Sequence, residues 1–155
     1  MSASQNKVSI SPDGESFPLP EQADYAAEYE RVRVLAEAAR AKGQEVVVVM
    51  GVGFVGAVMA AIVADCVDQD GRPSKFVIGC QRPSTRSFWK IPLLNRGVSP
   101  VKAEDPQVDV LIGRCVNDKK TLTATYNSQV IDLADCVVID VQCDFLKQEL
   151  GNMKS

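Results

Sequence analysis

Hydrophobic and polar positions fall into blocks along this chain, each with its own period. Residues 1–20 have no period and are rich in Ser, Pro, Asp and Gly, which predicts a loose arm. From residue 21 the spacing becomes helical: Tyr25, Tyr29, Val32, Leu35 or Ala36, and Ala39 share one face, opposite Glu28, Glu30, Arg31, Arg33 and Arg40. Gly43 stands where a helix C-terminal glycine belongs, so residues 21–43 read as one amphipathic helix packed on the domain that follows. Residues 46–50 are Val-Val-Val-Val-Met, a run suited to a strand buried on both faces of a parallel sheet. A glycine-rich turn and a small-residue helix over 57–64 come next, then a second strand over 75–80. Residues 84–95 read as helical, anchored by Phe88, Trp89, Leu93 and Leu94 and shortened by Pro92. Asp105-Pro106 opens a helix with Val108, Leu111, Ile112 and Cys115 on one face. A short strand over 121–126, a short helix or turn over 128–134 and a final buried strand over 136–141 complete the pattern. The alternation predicts an α/β fold over residues 44–155, a Rossmann-like doubly wound, mainly parallel sheet preceded by the N-terminal amphipathic helix.

Composition narrows the chemistry. The 155 residues suit one domain, and a net charge of −3 with no basic cluster argues against a nucleic-acid surface. There is no histidine, which removes Ser-His-Asp and Cys-His nucleophiles, HExxH zinc sites and imidazole as a general base. The five cysteines form no CxxC pair, so a metal site is not expected; they read as small hydrophobes in a reducing cytoplasm. The polar first residues lack the regions of a signal peptide, and glycines and flanking Glu45 and Asp65 break up the longest apolar stretch, so no membrane contact is expected.

The chemistry-bearing motif is Gly51-Val52-Gly53-Phe54-Val55-Gly56, set between strand and helix as a dinucleotide-binding GxGxxG requires. The first glycine permits the tight turn, the second lets a pyrophosphate approach the backbone, and the third lets helix pack on strand. The amides of Phe54 and Val55, at the positive end of the helix dipole, would meet the phosphates. A second strand of this kind ordinarily ends in Asp or Glu, which bonds the ribose of NAD. Here it ends in Gln81, with Arg82 and Arg86 nearby; the expected cofactor is NAD, and NADP stays open.

Several segments in order resemble the nucleotide-sugar dehydrogenases, the UDP-glucose and GDP-mannose 6-dehydrogenase family. Gly51–Gly56 is similar to the family's GxG(Y/F)VG, Arg86 follows Gln81 at the family's spacing, and Leu94-Asn95-Arg96-Gly97-Val98-Ser99-Pro100 resembles its LNxGxxP. Glu104-Asp105-Pro106, Leu122-Thr123-Ala124-Thr125 and the run from Leu133 to Ile139 resemble its later helix opening and strands. The resemblance implies the NAD-binding N-terminal domain of an enzyme that oxidises a UDP- or GDP-sugar C6 alcohol to the uronate in polysaccharide biosynthesis. It places Gly51–Gly56 on the pyrophosphate, Gln81 and Arg86 at the adenosine ribose, and Val141, Gln142 and Cys143 beside the nicotinamide half. Two departures mark a divergent branch: Gln81 replaces the ribose carboxylate, and Val141-Gln142-Cys143-Asp144 replaces V-x-T-P.

The family's catalytic cysteine, lysine and aspartate lie in later segments, so no catalytic residue is assigned, and the chain reads as a truncated, cytoplasmic, dinucleotide-binding part. The sugar nucleotide and homo-oligomer formation would belong to the full-length protein. The alternatives are a stand-alone NAD(H)-binding regulatory module without catalysis, and another Rossmann cofactor such as S-adenosylmethionine or FAD. An exposed apolar face is expected where further protein would dock.

Overall fold

The computed structural model describes residues 7–141 and the backbone of two later strands, β7 (Leu146–Glu149) and β8 (Asn152–Lys154), which pair antiparallel. The β-branched run becomes β3 (Glu45–Met50), and β4 (Lys75–Cys80) pairs beside it in parallel, as expected from the sequence. β5 (Leu122–Thr125) joins the outer side of β4, and β6 (Cys136–Ile139) joins the other side of β3, giving the parallel order β5-β4-β3-β6. The chain thus steps outward in one direction from β3 and then returns to its other side. This is the doubly wound arrangement, with a switch point between β3 and β6.

Helices cover both faces because alternate residues of each strand point opposite ways. α2 (Phe54–Ala64) lays Ala57, Ala60, Ala61 and Ala64 against Val47, Val49 and Val77, joined by Leu94, Ile112 and Cys115. α1 (Asp24–Ala41) covers the other face, where Val32, Ala36 and Ala39 meet Val46, Val48, Phe76 and Ile78. Of the two readings for its stripe, Ala36 is buried and Leu35 is exposed. Gly43 ends this helix at φ +80°, donating to Arg40 O at 2.9 Å. α3 (Lys90–Asn95) and α4 (Gln107–Gly113) are short, and α4 runs on into a π-helical turn over Arg114–Asp118. Ser128–Leu133 is a 3₁₀ helix.

Three features differ from the sequence expectation. Residues 7–20 are not a loose arm: β1 (Val8–Ile10) and β2 (Ser16–Pro18) form an antiparallel hairpin. Each strand buries one residue, Ser9 or Phe17, too few to leave a period in the sequence. The hairpin is held by long-range contacts: Ser9 Oγ donates to Thr85 O (2.9 Å) and accepts from Trp89 N (3.2 Å), and Glu15 pairs with Arg96 (2.8 Å). The helix expected from residue 84 begins at Lys90, with turns before it, which places Pro92 in the first turn where proline is tolerated. β6 is neither buried nor last. Among the described residues it is the sheet's open edge, with Ile139 72% exposed, because its apolar run has a neighbour on one side only.

The opposite edge is closed. Asn95 presents its side-chain amide to β5 as a neighbouring strand would: Oδ1 accepts from Ala124 N (2.7 Å) and Nδ2 donates to Ala124 O (3.0 Å). Arg31 of α1 donates to the same carbonyl (3.0 Å).

Candidate dinucleotide site

β3 and β4 both end beneath one cleft of about 670 Å³, lined by Gly51, Gly53, Phe54, Val55, Gln81, Arg82, Ser87, Lys90, Asp140 and Val141. It lies at the carboxyl ends of the strands, beside the switch point, where open α/β sheets bind ligands. Gly51 N donates to Cys80 O and Asp140 N to Met50 O, both at 2.8 Å, so the sheet ladder runs up to the cleft floor.

Three glycines shape the turn, each for a different reason. Gly51 adopts φ +101°, and a Cβ there would run into Asp140 O. A Cβ on Gly56 would collide with Gly51 O and stand 2.9 Å from Asp140 Oδ2, so the helix can approach the strand only without one. Gly53 is the reverse case. Its φ of −77° is open to any residue, and a Cβ would meet no atom within 4 Å. Nothing among the described residues requires glycine here, and the space beside it opens on the cleft. Ala57 N donates to Gly53 O (3.1 Å), leaving the N–H groups of Phe54, Val55 and Gly56 without an intrahelical acceptor at the positive end of α2.

The β4 wall carries hydrogen-bond donors. Gln81 Oε1 accepts from Val52 N at 3.1 Å, which fixes the amide orientation and leaves Nε2 without a protein partner among the described residues. Ser87 Oγ donates to Arg82 O (3.1 Å) and shares a hydrogen bond with Ser84 Oγ (2.7 Å), tying this loop to the lead-in of α3. The opposite wall holds the carboxylate of Asp140. Cationic and donor groups thus stand on the β4 side and the acidic group on the β6 side.

The sequence-derived residues divide accordingly. Gly51, Gly53, Phe54, Val55, Gln81 and Val141 come together in the cleft, and Val52 and Gly56 are buried beneath it. Arg86 is exposed and lies off the lining, with its carbonyl accepting Trp89 Nε1–H (2.9 Å); Arg82 and Lys90 line the wall instead. Gln142 and Cys143 lie outside the described residues. Sequence reasoning missed Ser87, Lys90 and Asp140. Lys90 could have been found only by locating the true start of α3.

No reactive thiol faces the cleft among the described residues: Cys80 is buried, and burial pushes its thiol up to about 11. No cluster of described residues could hold a metal ion, and no described helix is long and apolar enough to cross a membrane.

No protein-family model matches the sequence, and no curated protein matches it significantly. A solved structure does: an NDP-N-acetyl-D-galactosaminuronic acid dehydrogenase from Methanosarcina mazei Go1, 33% identical over 72% of this chain, with a TM-score of 0.57. The fold is nucleotide-sugar-dehydrogenase-like. The matched region is 22% of that dehydrogenase chain, so this dehydrogenase-like domain corresponds to about a fifth of its length.

Proposed function

We propose that this chain is the nicotinamide-dinucleotide-binding domain of an oxidoreductase acting on a sugar nucleotide. The supporting observation is Gly53, which has open space where its Cβ would be and no backbone reason to be glycine. A pyrophosphate beside it accounts for the residue, and the free amides of Phe54 and Val55 suit that anion. The residues present fit the dinucleotide. Gly51 and Gly56 hold the turn open, Gly53 admits the phosphates, Gln81 faces the adenosine end, and Asp140 and Val141 face the other. Bound there, the dinucleotide supplies a hydride donor or acceptor. This chain's residues hold and orient it, and no cysteine thiol lines the cleft among the described residues. The dehydrogenase named above makes a sugar nucleotide the favoured substrate class.

Calorimetric titration with NAD(H) and NADP(H) tests the reading. Binding of either form is expected, and Gly53→Val should abolish it while lowering stability by no more than about 1 kcal/mol, the cost of a poorer helix cap. Gly56→Val should instead destabilise the fold by about 1–3 kcal/mol or more, because the added side chain meets backbone. Absence of binding in the parent chain, or binding that survives Gly53→Val, refutes the site.

A further inference from the structure

Gln81 performs two tasks that are separable in this structure. Its Oε1 accepts the Val52 amide of the glycine turn at 3.1 Å, which a carboxylate in the same place could do equally well. Its other terminus differs: a carboxylate would offer a second acceptor to a ribose hydroxyl, whereas Nε2 offers only donors. The Val52 N–H dictates this orientation, since only the oxygen can face it. The wall that faces the adenosine end of a dinucleotide therefore keeps its structural bond and reverses its preference, from hydroxyl donors to acceptor oxygens.

The surrounding charges point the same way. All eight arginines of the chain are described, and six of them, Arg31, Arg33, Arg40, Arg72, Arg96 and Arg114, are ion-paired with a carboxylate. The two that form no such pair among the described residues are Arg82 and Arg86, both in the loop after β4, and Arg82 lines the cleft. Lys90, on the same wall, also lacks a described carboxylate partner and lies 5.9 Å from the Trp89 ring. The only carboxylate lining the cleft among the described residues, Asp140, belongs to the β6 side.

We infer that Gln81, Arg82 and Lys90 form a subsite for the 2′-phosphate of the adenosine ribose, so that the chain prefers NADP(H) over NAD(H). The inference rests on the dinucleotide reading above. A guanidinium and an ammonium give charge-assisted hydrogen bonds to phosphate, which a 2′-hydroxyl cannot match.

The test is calorimetry on the chain with NADPH, NADH, 2′,5′-ADP and 5′-AMP. NADPH is expected to bind at least about tenfold more tightly than NADH, as one charge-assisted contact is enough for that factor. 2′,5′-ADP should show the same advantage over 5′-AMP, and the advantage should shrink with added salt. Gln81→Glu should invert the preference by placing a carboxylate against the phosphate, and Arg82→Ala should narrow it; circular dichroism verifies that both variants are folded. Equal binding of the two forms, or tighter binding of NADH, overturns the inference and leaves the dinucleotide site standing. Binding of neither overturns both.

Discussion

Burial separates the four described cysteines into two chemical kinds. Cys80 and Cys115 are enclosed and their thiols are pushed up to about 11, largely by loss of solvent, while Cys66 and Cys136 are exposed. At pH 8 a water-soluble maleimide should therefore modify Cys66 and Cys136 in the folded protein and reach Cys80 and Cys115 only after denaturation, which peptide mapping by mass spectrometry reads directly. The expectation that all behave as small hydrophobes holds for two of these four, since an apolar run does not say which of its residues the fold encloses. The glycines were more legible. GxGxxG is a local pattern, and the separate duties of Gly51 and Gly56 follow from backbone geometry within a few residues. The bond from Val52 to Gln81 spans 29 positions, and no spacing rule announces it. Lys90 escaped notice for a related reason: its place on the wall depends on the turns that delay α3.

Among the elements, α2 is the most demanding in its packing. Four alanines lie flat on the sheet, so the helix axis sits close to β3, and any added methylene must displace backbone or neighbouring valines. Ala61→Leu is expected to cost about 1–3 kcal/mol in urea unfolding, whereas Ile62→Ser, one position on but facing solvent, should change stability by about 0.5 kcal/mol or less. Helix and buried strands were readable because each runs long enough to express its period: 18 residues in α1, six each in β3 and β4. The β1–β2 hairpin, with three residues a side, carries no such signal and depends on contacts with Thr85, Trp89 and Arg96. β6 reads as a buried strand from composition because its run of Val and Ile is the same whether or not a second neighbour pairs with it.

At the scale of the molecule, two carboxylates fasten the end of the sheet remote from the cleft. Asp135 accepts the Val46 amide (2.8 Å) and Arg40 (2.9 Å), joining β6, β3 and α1, and Asp65 pairs with Arg114 (2.6 Å) and Lys119 (2.8 Å). The Val46 amide first, then Arg40, holds Asp135 below the ordinary carboxylate range, and Arg114 followed by Lys119 does so for Asp65. A lowered native value means that the stabilisation is fully present above the unfolded value of about 4 and is lost as pH falls through the native one. The melting temperature should thus hold between pH 5 and 7, as far as these two groups determine it, and drop on further acidification. A double Asp65→Asn, Asp135→Asn variant should melt lower at pH 7 and show a shallower acid decline.

Exposed Phe54, Val55 and Ile62 on α2 and Val110 on α4 supply the apolar surface anticipated from the sequence. The sheet edges add a direction to it. With Asn95 and Arg31 occupying the Ala124 backbone, β5 has no free hydrogen-bonding group to offer there, while β6 keeps its outer row open among the described residues. The sheet is a ladder with one rail stopped at Ala124, and among the described residues a further strand finds its open rail at β6, away from the wall that Gln81 and Arg82 build.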